Sequence, residues 1–275
     1  MKSNDHKTKP ASDLLGRRKV QRVDFVVAGV QKAGTTAIHD FLAQHPQIAL
    51  LRDQALHFFD KEENFSSSRT GPFEPDYSIL HGNFDPGWRW RVAGEVTADY
   101  VYYPRALERI ARYNPQVKVI ISLRNPTERA FSQWNMRREK NQEPLEFLDA
   151  LKRDQEIGLS KNPRGNAYIA RSLYSPQLEK VFALFPREQV LLLKYEDFRT
   201  DPFPIVNEIF DFLGVDRRTP LKNQQRNVGS YSRKLTAAER AQAGQIFAED
   251  IAKIEKMLGW DCSDWRFKSA APATA

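Results

Sequence analysis

The stretch Asp24 to Phe41, DFVVAGVQKAGTTAIHDF, constrains this chain more than any other. An apolar, β-branched run (Phe25, Val26, Val27) leads into Gly29-Val30-Gln31-Lys32-Ala33-Gly34-Thr35-Thr36 and then into an amphipathic segment, the order strand, tight loop, helix. Such a junction aims backbone N–H groups and the positive end of a helix dipole at one point, which suits a phosphate or another anion. Gly29 and Gly34 supply permissive backbone, Lys32 a mobile cation, and Thr35 and Thr36 hydroxyls at the helix start. The nucleoside-triphosphate loop G-x-x-x-x-G-K-[ST] has its lysine after the second glycine, followed by a hydroxyl that holds magnesium. Here the lysine comes two residues before that glycine, so the motif carries no evident magnesium arrangement. By itself it also fits a plain strand-to-helix turn with an exposed lysine.

The rest of the chain supplies partners for this junction. Lys118-Val119-Ile120-Ile121-Ser122-Leu123 is a continuous apolar run of the kind a parallel strand needs when both faces are covered. Shorter strands are expected at Ile48–Leu51, Val92–Val96 and Val190–Lys194, with helices at 104–113, 127–139, 144–155, 176–185, 204–213 and 236–258. Strands alternating with helices predict an α/β fold, a single doubly wound domain around a central parallel sheet, with the P-loop-like strand-loop-helix at its start. In such sheets ligands bind beyond the carboxyl ends of the strands. The Lys32 loop and Arg124 both fall there. The expected boundaries are a flexible leader over residues 1–22, the domain over 23–267 and a flexible tail over 268–275.

Composition removes several classes of function. The 42 Lys+Arg against 35 Asp+Glu give a formal charge of +7, but acidic residues are interspersed throughout, so no nucleic-acid partner is expected. One cysteine, Cys262, excludes a disulfide framework, and the five histidines lack metal-ligand spacing, so no metal is expected. No apolar run approaches the ~18 residues of a membrane span, and a cytoplasmic location is expected. Oligomeric state is left open.

A second constellation is Arg124-Asn125-Pro126-Thr127-Glu128-Arg129-Ala130-Phe131-Ser132, a strand-end arginine followed by a serine about two turns into the next helix. Arg124 and Ser132 suit one more phosphate, as they also suit a salt bridge and a surface hydroxyl. Taken with the Lys32 loop, this pattern resembles the sulfotransferases that use 3′-phosphoadenosine 5′-phosphosulfate (PAPS), in particular the heparan-sulfate-type branch and its bacterial relatives. The resemblance runs from Asp24 to about Trp265 through GVQKAGTT, HFFD, GEVTADY, RNPTERAFS, RSLYSPQL and LKYEDFRTDP. It implies that Lys32, Ala33, Gly34, Thr35 and Thr36 hold the 5′-phosphosulfate, that Arg124 and Ser132 hold the 3′-phosphate, and that Gly229, Ser230, Tyr231 and Arg233 lie over the adenine. Lys32 would stabilise the leaving phosphate oxygen of an in-line transfer to a hydroxyl or amine of a glycan or small-metabolite acceptor, with adenosine 3′,5′-bisphosphate (PAP) as product and no metal.

The chain departs from that pattern on the acceptor side. Where the family places a glutamate base two residues before the histidine of the HFF segment, this sequence has Ala55, and the lysine and proline of the family's G-E-K-[ST]-P segment are Val96 and Ala98. His57, Glu95, Asp53 and Asp99 are the ionisable groups of these two segments, with His57 and Glu95 the leading candidates for the base. The aromatics Phe65, Phe73, Tyr77, Phe84, Trp88, Trp90, Tyr100, Tyr102 and Tyr103 suit either a sugar platform or plain packing. Two other readings stay open from sequence alone: a non-catalytic PAP- or PAPS-binding protein, and a P-loop small-molecule kinase.

Overall fold

The computed structural model describes residues 19–53, 55–66, 75–85, 90–103, 105–158, 166–217, 221–222 and 233–266. Five strands, β1 (Phe25–Gly29), β2 (Ile48–Leu50), β3 (Val92–Val96), β4 (Lys118–Leu123) and β5 (Val190–Lys194), form one sheet in the order β2-β3-β1-β4-β5. Every pairing is parallel. β1 therefore lies at the centre, between β3 and β4, and its carboxyl end opens where the crossovers diverge to the two sides of the sheet.

Side chains alternate across this sheet as a period of two requires. Val26 and Ala28 of β1, with Val119, Ile121 and Leu123 of β4, face one buried cluster. Phe25, Val27 and Ile120 face the other. The first cluster is covered by α3 (Ala106–Tyr113), α4 (Pro126–Glu139), α5 (Phe147–Ile157), α6 (Ser175–Leu184) and α9 (Ala237–Leu258). The second is covered by α1 (Thr35–Leu42), α7 (Tyr195–Thr200) and α8 (Pro202–Leu213). Helices on both faces are what a parallel sheet of continuous apolar strands needs, and the fold is the doubly wound α/β domain expected. Gly94 marks a close approach: a Cβ there would lie 2.3 Å from the Phe25 ring, so β3 can carry no side chain opposite it.

The strands fall where the apolar runs predict them. α9 starts at a capping box, with Thr236 accepting from the Glu239 N–H and Glu239 accepting in return from the Thr236 N–H. α5 begins later than its proline suggests, at Phe147 and not at Pro144. The Glu143 carboxylate accepts the Leu145 N–H at 3.1 Å and both Arg153 Nη atoms, which keeps residues 143–146 out of the helix. α7 was not anticipated. Val20 is buried in the core, so packing reaches into the segment expected to be a leader. A short four-residue helix, α2 (Ser78–His81), lies within the long aromatic connection. There Phe65, Tyr77 and Trp90 pack on the core and Phe84 is buried, while Phe73 and Trp88 lie outside the described residues.

Candidate active site

The loop after β1 is fixed by its own backbone. Val30 N–H donates to the Ser122 carbonyl of β4 at 2.9 Å, and Ala33 N–H turns back to the Val30 carbonyl at 3.1 Å. Lys32 adopts φ +74°, a left-handed conformation that costs a lysine about 1 kcal/mol or more and that such loops accept where they fold around a ligand. Gly34 caps α1 at φ +81°, with no capping side chain and no acidic residue in the first turn. The mouth of α1 is thus an N-terminal end with neither a side-chain acceptor nor a carboxylate competing for an anion. A Cβ on Gly34 would meet the Tyr195 ring at 3.0 Å, so glycine is required by space as well as by φ.

The arginines after β4 close over this loop. Arg124, buried, donates from Nη1 to the Lys32 carbonyl at 3.0 Å, and its guanidinium lies 4.8 Å from the centroid of the Tyr195 ring. Glu128 is 3.8 Å from its Nη2 and is itself paired with Arg240. Arg129, fully buried, reaches the Gln31 carbonyl at 3.5 Å, the Ser172 hydroxyl at 2.6 Å, Gln133 at 2.8 Å and the Tyr168 carbonyl at 2.9 Å. Burial pulls its guanidinium down to about 10, so those acceptors carry the cost of a cation kept from water. Asn125 caps α4 by accepting from the Thr127 and Glu128 N–H groups, so this helix offers an incoming anion the Arg124 side chain and not its own amides. Ser132 is buried on α4. The two motifs that the sequence set 92 residues apart are therefore joined by a direct bond. Lys32, Ala33, Gly34, Thr35, Thr36 and Arg124 stand at one end of the sheet, with basic and hydroxyl groups suited to a ligand that carries anionic groups at two places.

The acceptor side is built from two turns docked on each other. Ala55 and His57 both have left-handed backbone, φ +55° and +56°. His57 Nδ1 donates to Asp60 Oδ2 at 2.8 Å, which leaves Nε2 as the basic nitrogen of the neutral ring. The hydrogen bond to Asp60 is the main cause that raises the His57 imidazole above its ordinary value. Glu95 is completely buried, and the Tyr100 hydroxyl donates to both of its oxygens, at 2.9 and 3.0 Å. That same hydroxyl accepts the N–H groups of Phe58 and Phe59. Burial pushes the Glu95 carboxyl up to about 8. A carboxyl sealed in this way anchors the His57 turn through Tyr100, whereas the sequence reading set Glu95 among the candidate bases.

Asp99 is held by Arg171, and Tyr102 and Tyr103 flank that pair. Arg233, expected over the adenine, is instead clasped by Glu239 at 2.7 and 2.8 Å and by Glu146 at 3.3 Å, with its guanidinium 4.7 Å from the Trp134 ring. The bond from Arg233 pulls the Glu239 carboxyl down to about 2. That guanidinium is a fastener between α4, the start of α5 and α9. Gly229, Ser230 and Tyr231 lie outside the described residues.

Sequence reasoning passed over Asp60, Arg129 and Arg171, and it read Tyr100 as a stacking or packing aromatic where its hydroxyl is the bridge between Glu95 and the 58–59 amides. Asp60 follows His57 by three residues, and Arg129 lies within the quoted second motif, so spacing held a signal for both. The reach of Arg171 to Asp99 spans 72 residues and left none. A shallow cleft lined by Phe182, Leu184, Pro186 and Met257 lies at the opposite end of the sheet, where α6 leads into β5, and is remote from these groups.

Comparison with known proteins agrees with this geometry. The family profile described as the sulfotransferase domain matches residues 22–236. The human bifunctional heparan sulfate N-deacetylase/N-sulfotransferase 3 is 30% identical over 202 residues, covering 70% of this chain and 22% of that protein. The mouse heparan sulfate glucosamine 3-O-sulfotransferase 3A1 is 27% identical, covering 74% of this chain and 49% of that protein. A sulfotransferase structure from Alicyclobacillus acidocaldarius superposes with a TM-score of 0.76 at 29% identity, over 90% of this chain and 99% of the other. The fold is that of a sulfotransferase domain. The chain belongs to the sulfotransferase domain family, and it spans a fifth to a half of the length of these two curated relatives.

Proposed function

We propose that this protein transfers a sulfuryl group from PAPS to an amine or hydroxyl of a glycan acceptor, with His57 as the general base. The observation that carries the donor half is the Arg124 to Lys32 bond, which unites two anion-binding elements at the uncapped mouth of α1. The residues present fit the donor: Lys32, Thr35, Thr36 and the α1 amides would hold the 5′-phosphosulfate, and Arg124 with Ser132 the 3′-phosphate. PAPS supplies the activated sulfuryl group, whose S–O bond to the 5′-phosphate breaks as the acceptor's O–S or N–S bond forms. Lys32 holds positive charge at the oxygen that leaves. His57, its Nδ1–H fixed by Asp60, takes the acceptor's proton on Nε2. Ala55 cannot take it.

A glycan acceptor is supported by the likeness to relatives that are named for heparan sulfate, and by the half-buried Tyr102 and Tyr103 beside the His57 turn. The reading sets the reaction in the cytoplasm, where the single buried Cys262 needs no oxidising compartment. Among the described residues no helix is long and apolar enough to cross a membrane. The test is transfer of labelled sulfate from PAPS to N-desulfated and fully N-sulfated heparan chains, alongside calorimetric binding of PAP. Lys32→Ala is expected to lower kcat about 100-fold or more while PAP affinity falls less than tenfold. Unchanged transfer in that variant, or stabilisation by ATP and magnesium with no response to PAP, would overturn the proposal.

A further inference from the structure

The turn that follows β3 carries a buried ion pair. Asp99 Oδ1 accepts from Arg171 Nη1 at 2.5 Å, and Arg171 Nη2 donates to the Tyr103 hydroxyl at 3.1 Å. The guanidinium lies 4.3 Å from the centroid of the Tyr102 ring, and Arg171 is only 6% exposed. Asp99 opens a turn whose next residue, Tyr100, accepts the N–H groups of Phe58 and Phe59, so this turn is fastened directly onto the residues that follow His57. On its far side Arg171 adjoins Arg129, whose guanidinium touches the Lys32 loop.

We propose that the Asp99–Arg171 ion pair is a positioning element of the acceptor side: it holds the 99–103 turn against the His57 turn and neutralises a carboxylate of the turn that is fastened there. The inference rests on His57 as the base only for its catalytic consequence. The charged groups around His57 are few among the described residues. Asp60 and Lys61 come from its own turn, Glu95 and Asp99 from β3 and the turn after it, and Arg109 of α3 binds the Phe59 carbonyl while paired with Glu62. Asp60 binds the ring, Glu95 is sealed under Tyr100 and Arg109 is balanced by Glu62. Asp99 is therefore the carboxylate whose field on His57 depends on a partner from a distant segment, and Arg171 is that partner. An ion pair buried to this degree is seldom kept for stability alone, since an apolar replacement often serves as well, whereas breaking one side of it leaves a charge without compensation.

The direction of each effect follows from charge. Removing Arg171 exposes His57 to the full Asp99 field and favours the imidazolium, whereas removing the Asp99 charge leaves the Arg171 cation and favours the neutral ring. NMR titration of the His57 ring in the full chain reads this without any acceptor. Arg171→Gln is expected to raise the His57 midpoint by about half a pH unit or more, Asp99→Asn to lower it by a similar amount, and the double variant to return near the parent value. Arg171→Lys, which keeps the charge, should stay close to the parent. The acid limb of kcat/KM should move with the NMR midpoint. Asp99→Asn is nearly isosteric, so it decides the matter should Arg171→Gln fail to fold. An unmoved His57 midpoint in folded Asp99→Asn would overturn the inference. Retained transfer in His57→Ala would instead remove His57 as the base, and the NMR result would still stand or fall on its own.

Discussion

Glu95→Gln separates an anchoring carboxyl from a catalytic one. The carboxyl is buried completely near the carboxyl end of β3, and burial moves it from 4.5 to about 8. Between those two values the unfolded chain has lost the Glu95 proton and the folded chain retains it. A raised carboxyl contributes stability that is complete below about 4.5 and is lost as pH climbs through about 8. The distance between the values corresponds to about 5 kcal/mol, an upper bound, since relaxation and water entry soften such penalties. Glutamine preserves an oxygen for the Tyr100 hydroxyl and has no proton to lose. Urea unfolding of both proteins at pH 5, 6, 7, 8 and 9 isolates the effect, because every other titrating group is common to the two. The parent should lose stability relative to Glu95→Gln by about 2–4 kcal/mol between pH 5 and 9. A difference constant across that range would refute the buried, proton-retaining carboxyl. Activity gives the second half of the test: as an anchor, Glu95→Gln should retain kcat within about tenfold, whereas loss of a general base costs about 100-fold or more.

Two further predictions concern the donor side. Arg124→Ala removes a charge-assisted bond to the Lys32 carbonyl together with the ligand proposed for the 3′-phosphate, and calorimetry should show PAP binding weakened by about 10- to 150-fold, the 1.5–3 kcal/mol typical of hydrogen bonds to charged groups. Gly34→Ala forces a side chain into φ +81° and against the Tyr195 ring, so its melting temperature should fall and PAP should bind more weakly; an unchanged melt would mean that the loop adapts.

Legibility followed the range of the interactions. β4 and β5 show in the sequence because continuous apolar runs are the direct imprint of burial on both faces, and α4 and α9 because Asn125-Pro126 and Thr236-x-x-Glu239 are local caps. The order β2-β3-β1-β4-β5 does not show, since strand neighbours are chosen by contacts across the whole chain. α7 was missed because Tyr195–Thr200 is one short polar stretch with no period to detect, although it supplies Tyr195 against both Gly34 and Arg124. Glu95 read as an available acid because its sequence neighbours are unremarkable; its burial is decided by Tyr100 and by the His57 turn above it.

These contrasts separate the two sides of the proposed site. The donor side is held mainly by backbone groups: the Val30 amide to β4, the Lys32 carbonyl under the Arg124 side chain, the glycine cap of α1. Substitutions of side chains in the neighbouring turns leave those bonds in place. The acceptor side is held by side chains, with Tyr100 bridging Glu95 to the 58–59 amides and Arg171 bridging to Asp99. It can be rebuilt one residue at a time, provided each buried charge keeps a partner. Ala55→Glu tests that division. A carboxylate there would restore a second base next to His57, so transfer should persist when His57 is then changed to alanine. If instead Ala55→Glu with His57→Ala is inactive while PAP binding is intact, the site has been reorganised around the His57–Asp60 pair and no longer accepts a base at residue 55.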